Sequence, residues 1–210
     1  MKLYDGGRAP NPRRVRIYLA EKGIDIPMVP VDMGALEHRS DEVTALNPFQ
    51  RLPVLVLDDG TVLTETIAIC RYLEELHPEP PLFGTTPLEK ARIMMWDRRV
   101  QLHGFDAVGE GFRNSNAFFK DRALAGPVNF PQIPALAERA PKRFAVFLKD
   151  LDTRLAESPY VAGEDFSIAD ITALATCDFA RTIKMGPPYA DLPNLQAWYE
   201  KVSARPSAKN

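Results

Sequence analysis

A proline-rich stretch about one third of the way along the chain constrains the fold most. Residues 77–87, HPEPPLFGTTP, contain four prolines in eleven positions. Proline inside a helix removes a backbone donor and clashes with the preceding turn, so no helix runs through this stretch. We interpret residues 78–87 as a linker and predict two domains, 1–77 and 88–210.

The residues before the linker alternate between strand-like and helix-like segments. The apolar segments MKLY and IPMVPVDM flank a predicted helix, NPRRVRIYLAEKGI, with Asn11 as N-cap, Pro12 at the first helical position and Gly23 at the end. A short helix SDEVTALN, a hairpin PVLVLDDGTVL and an amphipathic helix ETIAICRYLEEL follow, the last with inward-facing Ile67, Cys70, Leu73 and Leu76. The order β-α-β-α-β-β-α predicts a mixed four-stranded sheet.

Every segment after the linker has helical periodicity. LEKARIMMWDRRVQLHGFDAVGEGF predicts one long helix, bent near Gly104 to Gly111, and three more helices follow. In FSIADI, Ser167 and Asp170 have the spacing of a capping box with Asp in place of Glu, which favours a structural role for Asp170 over a catalytic one. The second domain is therefore predicted to be all-α.

Composition argues against several classes of function. The formal net charge of -2 is not that of a nucleic-acid-binding surface, and the short basic run of Arg13, Arg14 and Arg16 is interpreted as a solvated helix face. No segment approaches the ~20 apolar residues of a membrane span, and no signal peptide is visible. Cys70 and Cys177 lie in apolar helical contexts and are predicted to be buried, reduced thiols. We expect a cytoplasmic protein without a metal.

The segment NPFQRLPVLVLDDGTVLTETIAICRYL carries the strongest functional features. A cis bond at Leu52–Pro53 would turn the Leu52 N–H and C=O toward a peptide-like ligand, and an ordinary trans proline is the alternative. Glu65 and Thr66 open a helix, whose N–H groups and dipole suit a carboxylate. Thr66 adds a hydroxyl donor and Glu65 is placed to bind an ammonium group. The alternative is that Thr64 and Glu65 only cap the helix. Together these features match a γ-glutamyl peptide.

The chain resembles the glutathione transferase superfamily over nearly its whole length, with bacterial theta-like and beta-like members closest in pattern. The segment 47–73, FSIADI and the closing LPNLQAWYEKVSARPS carry the resemblance. It implies an α/β thioredoxin-like N-terminal domain that binds glutathione as co-substrate. It also implies an all-helical C-terminal domain that carries the electrophile site, a role in detoxification, and a homodimer.

The resemblance also assigns residues to the glutathione site. Leu52–Pro53 matches the cis-proline pair whose preceding backbone binds the cysteinyl residue, and Glu65–Thr66 matches a Glu–Ser pair with the hydroxyl kept. His38 has the spacing of a theta-class histidine that reaches the glycine carboxylate, with an exposed loop residue as the alternative. The implied glutathione contacts are His38, Gln50, Arg51, Leu52, Pro53, Glu65 and Thr66.

The group that activates the thiol differs from the usual Ser, Cys or Tyr. The theta-like serine position is Ala9, RAPNP contains no cysteine, and strand alternation predicts that Tyr4 is buried. Two catalytic candidates remain open. Asn11 would cap its helix with its oxygen and offer its NH₂ to the thiolate. His103 lies in QLHGF, which resembles a beta-class segment with a histidine near the sulfur.

The electrophile is expected in an apolar cleft lined by Arg8, Ala9, Pro10, Trp96, Arg99 and Phe112. Trp96, Arg99 and His103 fall on one helical stripe. The predicted function is conjugation of the glutathione thiolate to an electrophilic small molecule. The alternatives are other glutathione-dependent chemistry, such as disulfide reduction or dehalogenation, and a non-catalytic binding or interaction protein of the same fold. The absence of a C-x-x-C motif disfavours redox work through a protein cysteine.

Overall fold

The computed structural model describes residues 1–185 and 191–210, and the chain divides into two compact units. The first unit consists of residues 1–80, 124–130 and 210, and the second of residues 81–123 and 131–209. The division after residue 80 falls inside the predicted linker. Leu82 and Phe83, which the sequence assigned to that linker, are buried, and the Leu82 carbonyl accepts a hydrogen bond of 3.0 Å from the Ile168 N–H.

The first unit is built on a four-stranded sheet with strand order β2-β1-β3-β4. β1 runs parallel to β2, and β3 is antiparallel to both β1 and β4. This is the predicted fold class, with elements β1 (Lys2–Asp5), α1 (Pro10–Lys22), β2 (Met28–Pro30), α2 (Asp41–Leu46), β3 (Val54–Val56), β4 (Val62–Thr64) and α3 (Thr66–Leu76).

Helix α1 begins two residues earlier than predicted. Ala9, and not Asn11, is its N-cap, and Pro10 and Pro12 both lie in the first turn. Prolines are tolerated there because N–H groups in the first turn have no intrahelical acceptor. The helix ends as predicted at Gly23, whose φ of 64° is a left-handed C-cap conformation.

Helix α3 buries Cys70 and Leu73 as predicted, but the rest of its buried face differs from the prediction. Leu76 is 48% exposed, whereas Ile69 and Glu74 are buried. Glu74 is tolerated inside because its Oε2 accepts a hydrogen bond of 2.6 Å from the Tyr18 hydroxyl and lies 2.6 Å from Lys22 Nζ. A hydrophobic pattern alone would place Glu74 at the surface. Tyr18 and Lys22, both on α1, hold it in the interior instead.

The second unit is all-helical over its described residues, as predicted. The predicted long helix is interrupted by a π-helical turn, Val100–Phe105. The longer helices are α4 (Pro87–Arg99), α5 (Asp106–Ser115), α6 (Pro134–Ala156), α7 (Ile168–Thr182) and α8 (Pro193–Ser203).

Asp170, in the first turn of α7, is fully buried and has a structural role. Its carboxylate accepts hydrogen bonds from the Val161 N–H at 3.0 Å, the Ser167 N–H at 3.0 Å and the Trp198 Nε1–H at 2.9 Å. The Ser167 hydroxyl donates a fourth bond at 3.1 Å. Burial raises the pKa of Asp170, and the four donors oppose that rise. Both carboxylate oxygens are committed, which supports the capping interpretation.

Candidate functional site

Several of the predicted glutathione contacts gather at one edge of the sheet in the first unit. The register of β1 with β3 pairs Tyr4 with Val54, and that of β3 with β4 pairs Val54 with Thr64, so the segments after β1 and β4 and the segment before β3 all leave the sheet at the same edge. Gly6, after β1, is close to Leu52, before β3, because a Cβ atom at Gly6 would lie 3.2 Å from Leu52 Cδ1. Helices α1 and α3 both start at this edge, so two helix N-termini contribute partial positive charge.

Leu52 presents its backbone at this edge while its side chain is anchored in the core. The Leu52–Pro53 peptide bond is cis. The Leu52 side chain packs in a buried cluster with Tyr4, Val43 and Val54. Within the described residues, the Leu52 N–H and C=O make no hydrogen bond. They are a donor and an acceptor at the start of β3, the pattern that an added peptide strand requires.

Glu65 and Thr66 follow β4, the strand that pairs with β3, and Thr66 begins α3. Glu65 has φ 67° and ψ 122°, a conformation that L-residues other than glycine rarely adopt. Its exposed side chain makes no capping hydrogen bond, so Glu65 does not cap α3 through its carboxylate. Thr66 is buried, and its hydroxyl makes no hydrogen bond within the described part of the chain. Backbone strain of this kind is concentrated at functional sites.

The loop before Leu52 is held by Asn47, a residue that the sequence reasoning did not assign to the site. Buried Asn47 donates from Nδ2 to the Arg51 carbonyl at 2.8 Å and accepts from the Phe49 N–H at 3.1 Å. Gln50 has φ 52° and donates to the Thr44 hydroxyl at 3.2 Å, while Arg51 is exposed. The Asn-Pro dipeptide is the turn signal that identifies Asn47 from sequence.

His38 lies in a short 3₁₀ helix, Glu37–Arg39. Its side chain is half-buried, so the alternative of an exposed loop residue does not hold. Leu36, just before this turn, has a φ of 63°. The role of His38 toward a glycine carboxylate stays a prediction.

Asn11 does not cap α1 as predicted, because its side-chain oxygen has a different partner. Asn11 Oδ1 accepts a hydrogen bond of 3.1 Å from Arg14 Nη1, and Arg14 is buried rather than solvated. The first helical hydrogen bond runs from the Arg13 N–H to the Ala9 carbonyl at 3.2 Å. Within the described residues, the Asn11 N–H and Nδ2 donate to no acceptor. Because both neighbours of Asn11 are prolines, these are the donors that remain in this turn.

The loop that leads into α1 is held by Asp5. Asp5 accepts from the Gly7 N–H at 3.0 Å and pairs with Arg16 at 2.5 Å. Arg16 therefore orders the entry to α1 and is not simply a solvated charge.

The predicted electrophile contacts of this loop differ in exposure: Arg8 is exposed, whereas Ala9 and Pro10 are half-buried.

In the second unit, the structure brings Trp96, Arg99 and His103 together, as their helical spacing predicts. The Arg99 guanidinium lies 4.7 Å from the centroid of the Trp96 ring. Phe112 lies apart from them, in edge-to-face contact with Phe119 and Phe179 at centroid distances of 5.0 and 5.3 Å. A cavity of about 270 Å³ is lined by Trp96, Arg99, His103, Phe147, Asp150 and Leu151.

Neither a membrane span nor a metal cluster is found in residues 1–185 and 191–210. No helix there is long and apolar enough to cross a membrane. These residues also contain no group of three or more His, Cys, Asp or Glu side chains arranged to hold a metal ion.

The fold is a thioredoxin-like sheet unit followed in sequence by an all-helical unit. Models of the glutathione S-transferase N-terminal and C-terminal domains match residues 9–76 and 126–206. Glutathione S-transferase 2 from Saccharomyces cerevisiae is 37% identical over 100% of this chain and 88% of its own length. Glutathione S-transferase 3 from Zea mays is 31% identical over 99% of this chain and 90% of its own.

A solved structure agrees with these relatives. A glutathione S-transferase domain-containing protein from Marinobacter aquaeolei VT8 has a TM-score of 0.90 and 38% identity, with 99% of each chain covered. The chain belongs to the glutathione S-transferase family. The predicted superfamily and fold class are confirmed, and the atypical active-site loop stays a prediction.

Proposed function

We propose that the protein binds glutathione at the sheet edge of its first unit and conjugates it to electrophilic small molecules. The full-length relatives confirm the predicted enzyme class, a glutathione transferase. The proposal for the site rests on one observation. The strand registers put the segment that contains Leu52, just before β3, and the start of α3, just after β4, at the same edge of the sheet, where α1 also begins.

The ligand contacts of the proposal follow from the chemistry of that edge. The cysteinyl residue of glutathione pairs with the Leu52 N–H and C=O as an added strand. The γ-glutamyl carboxylate accepts from the Thr66 hydroxyl and the first N–H groups of α3, and its ammonium group binds Glu65. The glycine carboxylate is assigned to His38, Gln50 and Arg51, of which Arg51 is exposed and carries a fixed positive charge.

Asn11 is the proposed activating group for the thiol. Its Nδ2 and backbone N–H are two donors at the positive end of α1. Arg14 bonds to Asn11 Oδ1, which polarises the amide and strengthens Nδ2 as a donor. Lowering a thiol pKa from ~8.5 to ~6.5 requires roughly 2.7 kcal/mol of thiolate stabilisation, which is within reach of one or two hydrogen bonds to a charged group at about 1.5–3 kcal/mol each.

The conjugation reaction needs no oxidant or reductant. The thiol loses its proton to solvent, and the thiolate sulfur forms a bond to the electrophilic carbon while the leaving group departs with its electron pair.

His103 is the second proposed activating group for the thiol. In the second unit, Trp96, Arg99 and Phe112 are proposed electrophile contacts. Arg8, Ala9 and Pro10 are proposed contacts at the entry to α1.

A homodimer and a cytoplasmic location complete the proposal. In support of a homodimer, Leu88 and Met95 lie seven residues apart on one face of α4 and are 59% and 41% exposed, so they offer apolar surface to a second copy of the chain. The proposed cytoplasmic location is supported by Cys70 and Cys177, which are both buried and take part in no disulfide. Light scattering of the purified protein measures the mass directly, and a monomer at micromolar concentration would contradict the homodimer.

The test of the proposed function is a calorimetric titration with glutathione and with S-methylglutathione in buffers of different ionisation enthalpy. Both ligands are expected to bind. Only glutathione is expected to release a proton, because only it forms a thiolate. Binding of both without proton release would reduce the protein to a glutathione-binding module. No binding of either ligand would refute the site.

A further inference from the structure

The π-helical turn Val100–Phe105 contains His103, the second proposed activating group. A π turn replaces the helical hydrogen bonds between residues four apart with bonds between residues five apart, and such turns are rare and frequent at functional sites. His103 and Gly104 both lie in this turn. The position of the His103 side chain therefore depends on what holds the turn.

Arg143, on α6, makes a bridge from this turn to α5. Its Nη2 donates to the Leu102 carbonyl at 3.1 Å, and its Nη1 donates to Glu110 Oε2 at 3.1 Å. Leu102 immediately precedes His103, and Glu110 lies on α5. One planar guanidinium thus fixes two points along the chain, a geometry that a lysine ammonium does not reproduce.

Gly104 holds the other side of His103 against the same helix. A Cβ atom at Gly104 would lie 2.6 Å from Phe147 Cε1, closer than side-chain atoms approach one another. Phe147 lines the same cavity as His103. The residues on either side of His103 are therefore both in contact with α6, one through a hydrogen bond and one through close packing.

We infer that Arg143 is a positioning residue, which sets the orientation of His103 through the Leu102 carbonyl. The effect of Arg143 on catalysis rests on the proposed role of His103 as an activating group. The effect of Arg143 on the orientation of His103 does not. Arg143 contacts neither the substrate nor the sulfur, and it acts on His103 only through the π-helical turn.

The chain offers a matched control in Arg139, one turn earlier on α6. Arg139 also donates to Glu110, with its Nη2 3.0 Å from each carboxylate oxygen. Replacing Arg139 or Arg143 with methionine removes the same charge and a bond to the same carboxylate. Only Arg143→Met also removes the bond to the Leu102 carbonyl.

The experiment compares the histidine NMR spectra of the full chain and its variants at one pH. The chain has three histidines, so each Cε1–H resonance is resolvable and His103→Gln assigns its own. Arg143→Met is expected to shift the His103 resonance, while the His38 and His77 resonances do not move. Arg139→Met is expected to leave all three unchanged. If Arg143→Met does not fold, Arg143→Lys keeps the charge, loses the bridge and is expected to give the same shift.

The outcomes separate this inference from the proposed function. Equal His103 spectra in the Arg139→Met and Arg143→Met variants, or in Arg143→Lys if it is needed, would overturn the positioning role. A shifted His103 resonance together with full transferase activity of His103→Gln would uphold the positioning role. The same result would remove His103 as the activating group, because a side chain that is positioned but dispensable does not activate the sulfur.

Discussion

Glu65 combines a strained backbone with a proposed ligand contact, and two substitutions separate these properties. Glu65→Ala removes the carboxylate and keeps a side chain at φ 67° and ψ 122°. Glu65→Gly also removes the carboxylate, and glycine adopts positive φ without the steric cost. Both variants therefore lose the same ligand contact, and they differ in backbone strain.

The expected magnitudes follow from the conformation and from the contact. A non-glycine residue in a sparsely populated region costs about 1–3 kcal/mol, and glycine gives back about 0.4–1 kcal/mol through the entropy of the unfolded chain. Glu65→Gly is thus expected to be about 1 kcal/mol more stable to unfolding than Glu65→Ala, or roughly 2–4 °C in melting temperature. Both variants are expected to bind glutathione about tenfold more weakly, which is ~1.4 kcal/mol.

Urea unfolding of the two variants measures the stability difference, and calorimetric titration measures the affinity. A Glu65→Gly protein no more stable than Glu65→Ala would refute the strain at this position. Unchanged glutathione affinity in both variants would refute the ammonium contact. A loss of affinity in Glu65→Gly alone would assign the binding effect to the backbone and not to the carboxylate.

Four further substitutions test other parts of the structure. Thr66→Val is expected to weaken glutathione binding about tenfold in calorimetry with little change in stability, since its hydroxyl makes no hydrogen bond within the described residues. Asn11→Ala is expected to raise the pKa of bound glutathione, measured by the ultraviolet absorbance of the thiolate, and to weaken binding less than Glu65→Ala. Asp170→Ala is expected to lower the free energy of unfolding by about 3 kcal/mol, because four donors lose their acceptor. Hydrogen bonds from the Thr85 side chain and backbone and the Thr86 backbone lower the pKa of Glu89 from 4.5 to about 2, so its stabilisation is complete above pH 4.5 and is lost toward pH 2. The stability gap between wild type and Glu89→Gln in urea unfolding is therefore expected to shrink over that range.

Each of these expectations has an outcome that contradicts it. Wild-type affinity in Thr66→Val would remove its hydroxyl from the site. An unmoved thiol pKa in Asn11→Ala would leave activation to His103 or another group. A loss below 1 kcal/mol in Asp170→Ala would mean that its four donors find other partners. A stability gap for Glu89→Gln that is constant with pH would show that Glu89 has an ordinary pKa.

The order of elements was predictable because it depends on local chemistry. The prolines of residues 77–87 and the hairpin turn containing Gly60 act over a few residues, and the structure has both features. The positions of Leu52 just before β3 and of Glu65 and Thr66 just after β4 were predictable for the same reason.

The errors fall where a side-chain partner decides the outcome. Glu74 is assigned to solvent by any hydrophobic pattern, yet Tyr18 and Lys22 from α1 hold it inside. Asn11 has the right residue type for an N-cap, yet the helix starts earlier and Arg14 takes its oxygen. Burial of a charged group depends on whether its partner is present in three dimensions, and periodicity carries no such information.

The sequence by itself determined the two-part organisation, the β-α-β-α-β-β-α order and the family, because prolines, caps and alternation act over neighbouring residues. Only the tertiary structure decided the strained backbone of Glu65 and the π turn around His103. Arg143 lies 41 residues from the Leu102 carbonyl that it binds. Contacts over such separations form only when the helices pack, which is why no local pattern reveals them.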